Sequence, residues 1–229
     1  MILLMTTVLA FCSIVYELLL GQMLSAYLGN TILRYAITIG LYLFSMGLGA
    51  FLFEKVPHHR PVLMLMAVEL CLTCIGATSI AWVQLTDTVT FSSTAVSFIS
   101  HTLILLIGLL TGLELPLLFK IAERKRRLNE NLLLGVNYLG AFTGTLLFAF
   151  VFYPQLGLLA TALCVALLNG LCGISLYFLK SLDPLNESSP TNLPGYLVAA
   201  QSGCVLLIVL GLVNQQPLNE WLVQLYYRS

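Results

Sequence analysis

Seven runs of apolar residues, each near the roughly 20 that an α-helix needs to cross a bilayer, constrain this chain more than any other feature. They lie at about 1–28, 33–53, 61–85, 94–119, 132–153, 155–179 and 194–214. The breaks between them carry turn chemistry: Gly29-Asn30, the stretch from Pro57 to Pro61 with His58, His59 and Arg60, and Pro154-Gln155-Leu156-Gly157. So little chain remains for loops that no separate soluble domain fits. Residues 1–214 therefore read as an all-α, polytopic membrane helix bundle of about seven transmembrane helices, and residues 215–229 as a short interfacial tail. Composition agrees: the 229 residues are 59% hydrophobic and 9% charged, against roughly 25% charged in an ordinary soluble domain.

Ten Lys+Arg balance ten Asp+Glu, so net charge gives no ground for a nucleic-acid partner, and the lipid bilayer is the expected surrounding. The distribution of basic residues is more informative. Lys55 and Arg60 follow the second run, Lys120 and Arg124, Lys125, Arg126 and Arg127 follow the fourth, and Lys180 follows the sixth, whereas the alternate loops hold only Arg34. The positive-inside rule then predicts a cytoplasmic N-terminus and cytoplasmic basic loops in a bacterial inner membrane, with the C-terminus outside if seven runs cross. The first run, opening "MILLMTTVLAF", has no basic n-region and no small-residue cleavage site, and reads as a retained helix.

Six cysteines all fall inside apolar runs, and Cys71 and Cys74 form a CxxC. One such pair within a single helical turn, with no second pair, fits two small packing residues better than a metal or redox motif. Histidines are three, His58, His59 and His101, without HxxxH or HExxH spacing, so no metal site is expected.

Three carboxylates sit among apolar neighbours: Glu17 in "SIVYELLLGQ", Glu69 in "LMAVELCL" and Glu114 in "TGLELPLLFK". An acidic residue at a helix centre costs from roughly 2.5 kcal/mol, so each is expected to face the bundle interior, to be protonated, or to pair with Gln22, Arg34 or Asn137. Two readings stand: a site for an amine, cation or proton, or interhelical hydrogen-bonding anchors. Glu114 lies about six residues from Lys120, which at about 1.5 Å per residue places it near the interface and favours the anchor reading there. Pro116 removes a hydrogen bond to the Gly112 carbonyl and strains the helix beside Glu114. Glu17 and Glu69, if they meet, would resist double ionisation.

Small residues recur four apart: Ser45 and Gly49, Gly108 and Gly112, Gly140 and Gly144. These are helix-contact faces, within one chain or between two. The stripes in the second and fifth runs also hint at a three-plus-three internal repeat.

The succession "IVYELLLGQMLSAYLGNT", "ITIGLYLFSMGLGAFLFEK", "LLTGLELPLLFK", "GVNYLGAFTGTLLFAFVFYPQLGLLATA" and "ALLNGL" resembles the transmembrane module of membrane-bound bacterial spermidine synthases, the polyamine aminopropyltransferases. The likeness covers nearly the whole chain, and the tail "NEWLVQLYYRS" is similar to the connector that leads into the enzyme, with Trp221, Leu225 and Tyr226 toward lipid. What the resemblance implies is catalysis in a Rossmann-like domain that the quoted motifs do not reach. No catalytic residue and no cofactor is therefore expected here. A cytoplasmic active site also conflicts with an exported C-terminus, and the charge bias takes precedence. The expected function is a membrane scaffold or anchor, a subunit holding another membrane protein or membrane-associated protein, or a homo-oligomer, through its helices. The alternative is a transporter or channel-like module for polyamines, cations or protons using the three glutamates; "GLGAFLFEKVPHHR" is also loosely similar to a loop of major facilitator carriers.

Overall fold

A computed structural model describes residues 1–55, 60–90, 92–124, 129–182 and 193–214. His58, His59, Lys125, Arg126, Arg127 and the whole tail 215–229 lie outside the described residues. Every described element is helical: α1 (Ile2–Leu28), α2 (Thr31–Lys55), α3 (Pro61–Thr90), α4 (Ser93–Arg124), α5 (Glu130–Leu147), a π-helical turn (Phe148–Phe152), α6 (Tyr153–Ser175), a 3-10 segment (Leu176–Leu182) and α7 (Leu193–Val213).

Six helical segments are long and apolar enough to cross a membrane, not the seven expected. The fifth and sixth apolar runs belong to one continuous segment of 50 residues, Glu130–Leu179. The Pro154 signal does not end the helix, because the π turn just before it, closed by the Tyr153 amide on the Phe148 carbonyl, widens the backbone where the proline ring would clash with the preceding turn. The break falls at Gly157, whose φ of 73° and ψ of −176° lie in a region open to glycine alone. At about 1.5 Å per residue the segment would be about 75 Å long if straight. It is folded instead. Gly140 packs on Thr7 and Gly144 on Phe11, Tyr153 meets Gln22, and then Cys12 donates its Sγ–H to the Val165 carbonyl. The segment climbs alongside α1 and, beyond Gly157, returns along it.

The small-residue faces are engaged within the chain. A Cβ on Gly112 would run into the Met46 carbonyl of α2, and one on Gly108 into Ser45. Gly49 in turn lies against the Leu109 carbonyl of α4. The second-run stripe thus meets the fourth run, and the fifth-run stripe meets α1, an arrangement that lets backbones approach closely where lipid supplies little hydrophobic drive. α1 is the central helix, with Val15, Leu19, Leu20, Met23 and Leu24 fully buried. The outward faces stay apolar: Phe44 and Phe51 of α2, Phe142 of α5, and Leu206 and Leu207 of α7 are exposed, as expected of surface that lies in lipid.

α4 runs unbroken through Pro116 to Arg124. Glu114 therefore stands farther from the helix end than the distance to Lys120 suggests, and only 5% of it is exposed.

Candidate functional site

Glu17 of α1, Glu114 of α4 and Asn137 of α5 line one cavity of about 260 Å³. α4 and α5 barely touch, and the cavity occupies the space between them. Helical spacing explains why the polar groups gather there: Ser13 and Glu17 are four apart, and Thr111 and Glu114 three apart, so each pair shares a face. Tyr42 reaches in from α2 and ties the wall together. Its hydroxyl lies 2.7 Å from the Ser13 Oγ, and also 3.2 Å from both the Ser13 carbonyl and the Thr111 Oγ1. The rest of the lining is apolar, including Leu9, Ile14, Met46, Leu118 and Leu134.

Neither Glu17 nor Glu114 makes a hydrogen bond or ion pair among the described residues, and the lining contains no Lys, Arg or His. An ionised carboxylate in such surroundings lacks the compensation that a buried charge requires. The cavity is chemically suited to a positive group carried on an apolar body.

Glu69 stands apart from this cavity. It is fully buried on α3, close enough to Glu114 for the two to interact electrostatically, and both carboxylate oxygens lack a hydrogen-bond partner. Of the three carboxylates, Glu17 and Glu114 share the cavity, and Glu69 does not line it. One turn on from Glu69, Thr73 joins three helices: its hydroxyl donates to the Glu69 carbonyl at 2.7 Å and accepts from the amides of Asn169, at 3.3 Å, and Gln201, at 2.8 Å.

The remaining polar residues fall elsewhere. Gln22 donates to the Tyr153 hydroxyl at 2.7 Å and accepts from the Tyr35 hydroxyl at 2.8 Å, so it fastens the elbow rather than a carboxylate. Arg34 pairs with none of the three glutamates and borders a separate cavity with Ser97 and His101, where the His101 Nδ1 lies 2.6 Å from the Ser97 carbonyl. All six cysteines are free thiols, and Cys74 approaches Cys204 of α7, at 3.5 Å, rather than Cys71. Among the described residues no group of three His, Cys, Asp or Glu is placed to hold a metal ion.

Sequence reading overlooked Ser13, Tyr42, Thr111, Thr73, Asn169 and Gln201. A signal existed for part of this set: Asn169 in "ALLNGL" and Gln201 in "VAAQSGC" are amides inside apolar runs, as costly there without a partner as a hydroxyl or peptide group.

Comparison with known proteins completes the placement. No family model matches the chain, and no solved structure matches it significantly. Among curated proteins, the polyamine aminopropyltransferase of Leptospira interrogans is 34% identical over 208 residues, covering 89% of this chain and 39% of that protein. The polyamine aminopropyltransferase of Oceanobacillus iheyensis is 34% identical over 165 residues, or 71% of this chain and 32% of its own length. Polyamine aminopropyltransferase 1 of Streptomyces coelicolor is 34% identical over 176 residues, 72% of this chain and 31% of its own. The chain thus spans between 31% and 39% of the length of these relatives. Its helical bundle is homologous to that portion of the polyamine aminopropyltransferases, the family to which its sequence relates it.

Proposed function

We propose that this bundle is a membrane module that binds a polyamine cation within the bilayer and moves it, with Glu17 and Glu114 as the anionic ligands. One observation carries the reading: two carboxylates from helices distant in sequence line a single cavity that contains no basic side chain and offers neither of them a partner. An alkylammonium chain matches that lining, its nitrogens toward the carboxylates and its methylenes against Leu9, Ile14 and Leu118. The relatives' name supplies the ligand class. Asn137 and the hydroxyls held by Tyr42 would orient the ammonium groups. On this reading the module lies in a bacterial cytoplasmic membrane, and the bias of its basic residues favours an N-terminus and basic loops on the cytoplasmic side.

Uptake of labelled putrescine or spermidine into proteoliposomes containing the purified full chain tests this reading. Wild type should accumulate label above protein-free vesicles. Glu17→Gln and Glu114→Gln should each reduce accumulation by at least about tenfold, because a charge-assisted contact of about 1.5 kcal/mol or more is lost. Uptake equal to that of empty vesicles, or unchanged in both variants, would refute it.

A second reading, the membrane anchor or scaffold, draws on a different observation: the relatives are far longer than this chain, and a bundle of this kind would hold the rest of such a protein at the bilayer. Because the small-residue stripes are engaged inside the chain, a partner protein or second copy would use the exposed faces of α2 or α7. Purification in mild detergent with mass spectrometry of co-purifying chains separates the two readings, since an anchor brings a stoichiometric partner.

A further inference from the structure

The cavity bordered by Arg34 is opposite in charge to the one that holds Glu17 and Glu114. It encloses about 490 Å³ where the start of α2 faces the start of α4, and Arg34, Ser93, Thr94, Ser97 and His101 form its polar lining. No carboxylate lines it, and it shares no residue with the other cavity. Arg34 stands at the end of α2 opposite Lys55. Its side chain makes no ion pair and no hydrogen bond among the described residues, and its Nε is shut off from solvent. A guanidinium is always charged and presents five N–H donors in a planar fork. Nearly all buried donors in folded proteins are paired, so this one calls for an acceptor.

Helix α4 brings the remaining donors to the same place. Ser92 begins the helix: its Oγ accepts from the Ala95 amide at 3.4 Å and its carbonyl from the Val96 amide at 3.1 Å. Ser93, Ser97 and His101 then follow four residues apart, on one face. The hydroxyls of Ser93 and Thr94 have no partner among the described residues. His101 Nδ1 lies 2.6 Å from the Ser97 carbonyl, and a carbonyl can only accept, so the proton is on Nδ1 and Nε2 is the ring atom left open. With Nδ1 acting as donor, the Ser97 hydroxyl 3.2 Å away keeps its own proton for a ligand. The positive end of a 32-residue helix adds to the field of the guanidinium.

We propose that this cavity is a binding site for a phosphate group, carried by a lipid headgroup or free. The guanidinium fork matches two phosphate oxygens, and its single charge balances that of a phosphodiester. Ser93, Thr94 and Ser97 supply neutral O–H donors to the same group. The rest of the lining is apolar, Leu28 and Phe98, and Phe98 is 70% exposed. The opening therefore adjoins surface of the kind that acyl chains cover, which favours the headgroup as the source. This site goes beyond the polyamine reading and uses none of its residues.

Thermal unfolding of the purified full chain in an uncharged detergent, titrated with dioleoyl phosphatidylglycerol, dioleoylglycerol or inorganic phosphate at constant ionic strength, provides the test. Phosphatidylglycerol should raise the wild-type unfolding temperature saturably, whereas dioleoylglycerol, with the same tails and no phosphate, should not. Arg34→Gln should raise the half-saturating concentration by at least about tenfold, through loss of a charge-assisted contact. Arg34→Lys keeps the charge without the fork and should raise it several-fold, which decides the matter if Arg34→Gln fails to fold. Lys120→Gln, toward the other end of α4, should respond as wild type does. A response to inorganic phosphate alone, weakened in the Arg34 variants, upholds the phosphate site and makes the free anion its source. No response to either phosphate compound overturns the proposal, as does one half-saturation shared by wild type and both Arg34 variants. A loss in Lys120→Gln as large as in Arg34→Gln also overturns it, since that is diffuse attraction to an anionic surface. Polyamine uptake through Glu17 and Glu114 is indifferent to each of these results.

Discussion

Gly49 of α2 and Gly112 of α4 meet with no room for a side chain between them: a Cβ on Gly49 would stand 3.0 Å from the Gly112 Cα. The obstructing atoms are backbone, so neither helix can yield by a rotamer change. Gly112→Ala should therefore destabilise the bundle by up to about 2 kcal/mol, an overpacking loss of about 1–3 kcal/mol being offset by a helix-propensity gain of about 1 kcal/mol. Gly47→Ala, on α2 with open space around it, should be neutral or slightly stabilising. Denaturant unfolding of the two variants in detergent checks the contrast, and equal stability would mean that α2 and α4 are not in this contact.

Gly157 raises a different question, because nothing lies within 4 Å of the place its Cβ would occupy. Space is free and backbone conformation is not. At φ 73° and ψ −176° an alanine should cost about 1–3 kcal/mol through strain alone. Gly135→Ala is the matched control, a helical glycine with equally open surroundings and expected to be stabilising. A thermal shift of the same sign in both variants would show that the chain does not turn at residue 157.

Hydropathy made the helices legible, because a membrane span needs little more than a long apolar run. What it could not convey was pairing. The stripes of Ser45 and Gly49 and of Gly140 and Gly144 were both visible, yet their partners are Gly108 and Gly112 in one case and the backbone at Thr7 and Phe11 in the other, contacts that only the folded chain selects. The same holds for Glu17 and Glu114: each was conspicuous by its apolar neighbours, while their common cavity depends on α1 and α4 packing side by side. The break at Pro154 to Gly157 was legible, but the residue that carries it was not: a π turn absorbs the proline and the bend falls on Gly157. Tyr42 left no trace in the sequence, because a tyrosine in an apolar run is ordinary until its hydroxyl is seen to reach two other helices.

That hydroxyl supports a prediction of its own. Tyr42→Phe keeps the buried ring but removes the group that Ser13 and Thr111 share. The expected loss is about 1–2 kcal/mol of stability, from hydrogen bonds of about 1 kcal/mol each. Polyamine uptake should fall less than in Glu17→Gln, because no charge is removed. Measuring unfolding and uptake on the same preparation distinguishes a wall residue from a ligand: a larger uptake defect in Tyr42→Phe than in Glu17→Gln would reverse the assignment.

The position of α7 can be checked through its single cysteine. Cys204 Sγ lies 3.5 Å from Cys74 Sγ of α3, and Gln201, one turn earlier, is anchored to Thr73 beside it. Treatment of the full chain with copper phenanthroline should therefore link Cys74 to Cys204, the two thiols losing their protons and two electrons to the oxidant. Tryptic mass spectrometry would report the cross-linked peptide pair. Cys71→Ala should leave that product intact and Cys204→Ala should abolish it. The alternative product, a Cys71–Cys74 bridge within one helical turn, is disfavoured because those side chains belong to one rigid helix while Cys74 already faces α7. Thr73→Val should lower the yield of the cross-link, since it removes the hydroxyl that holds Gln201 and with it the polar fastening between α3 and an otherwise largely exposed helix. A yield unchanged in Thr73→Val would show that apolar packing alone holds α7 in place.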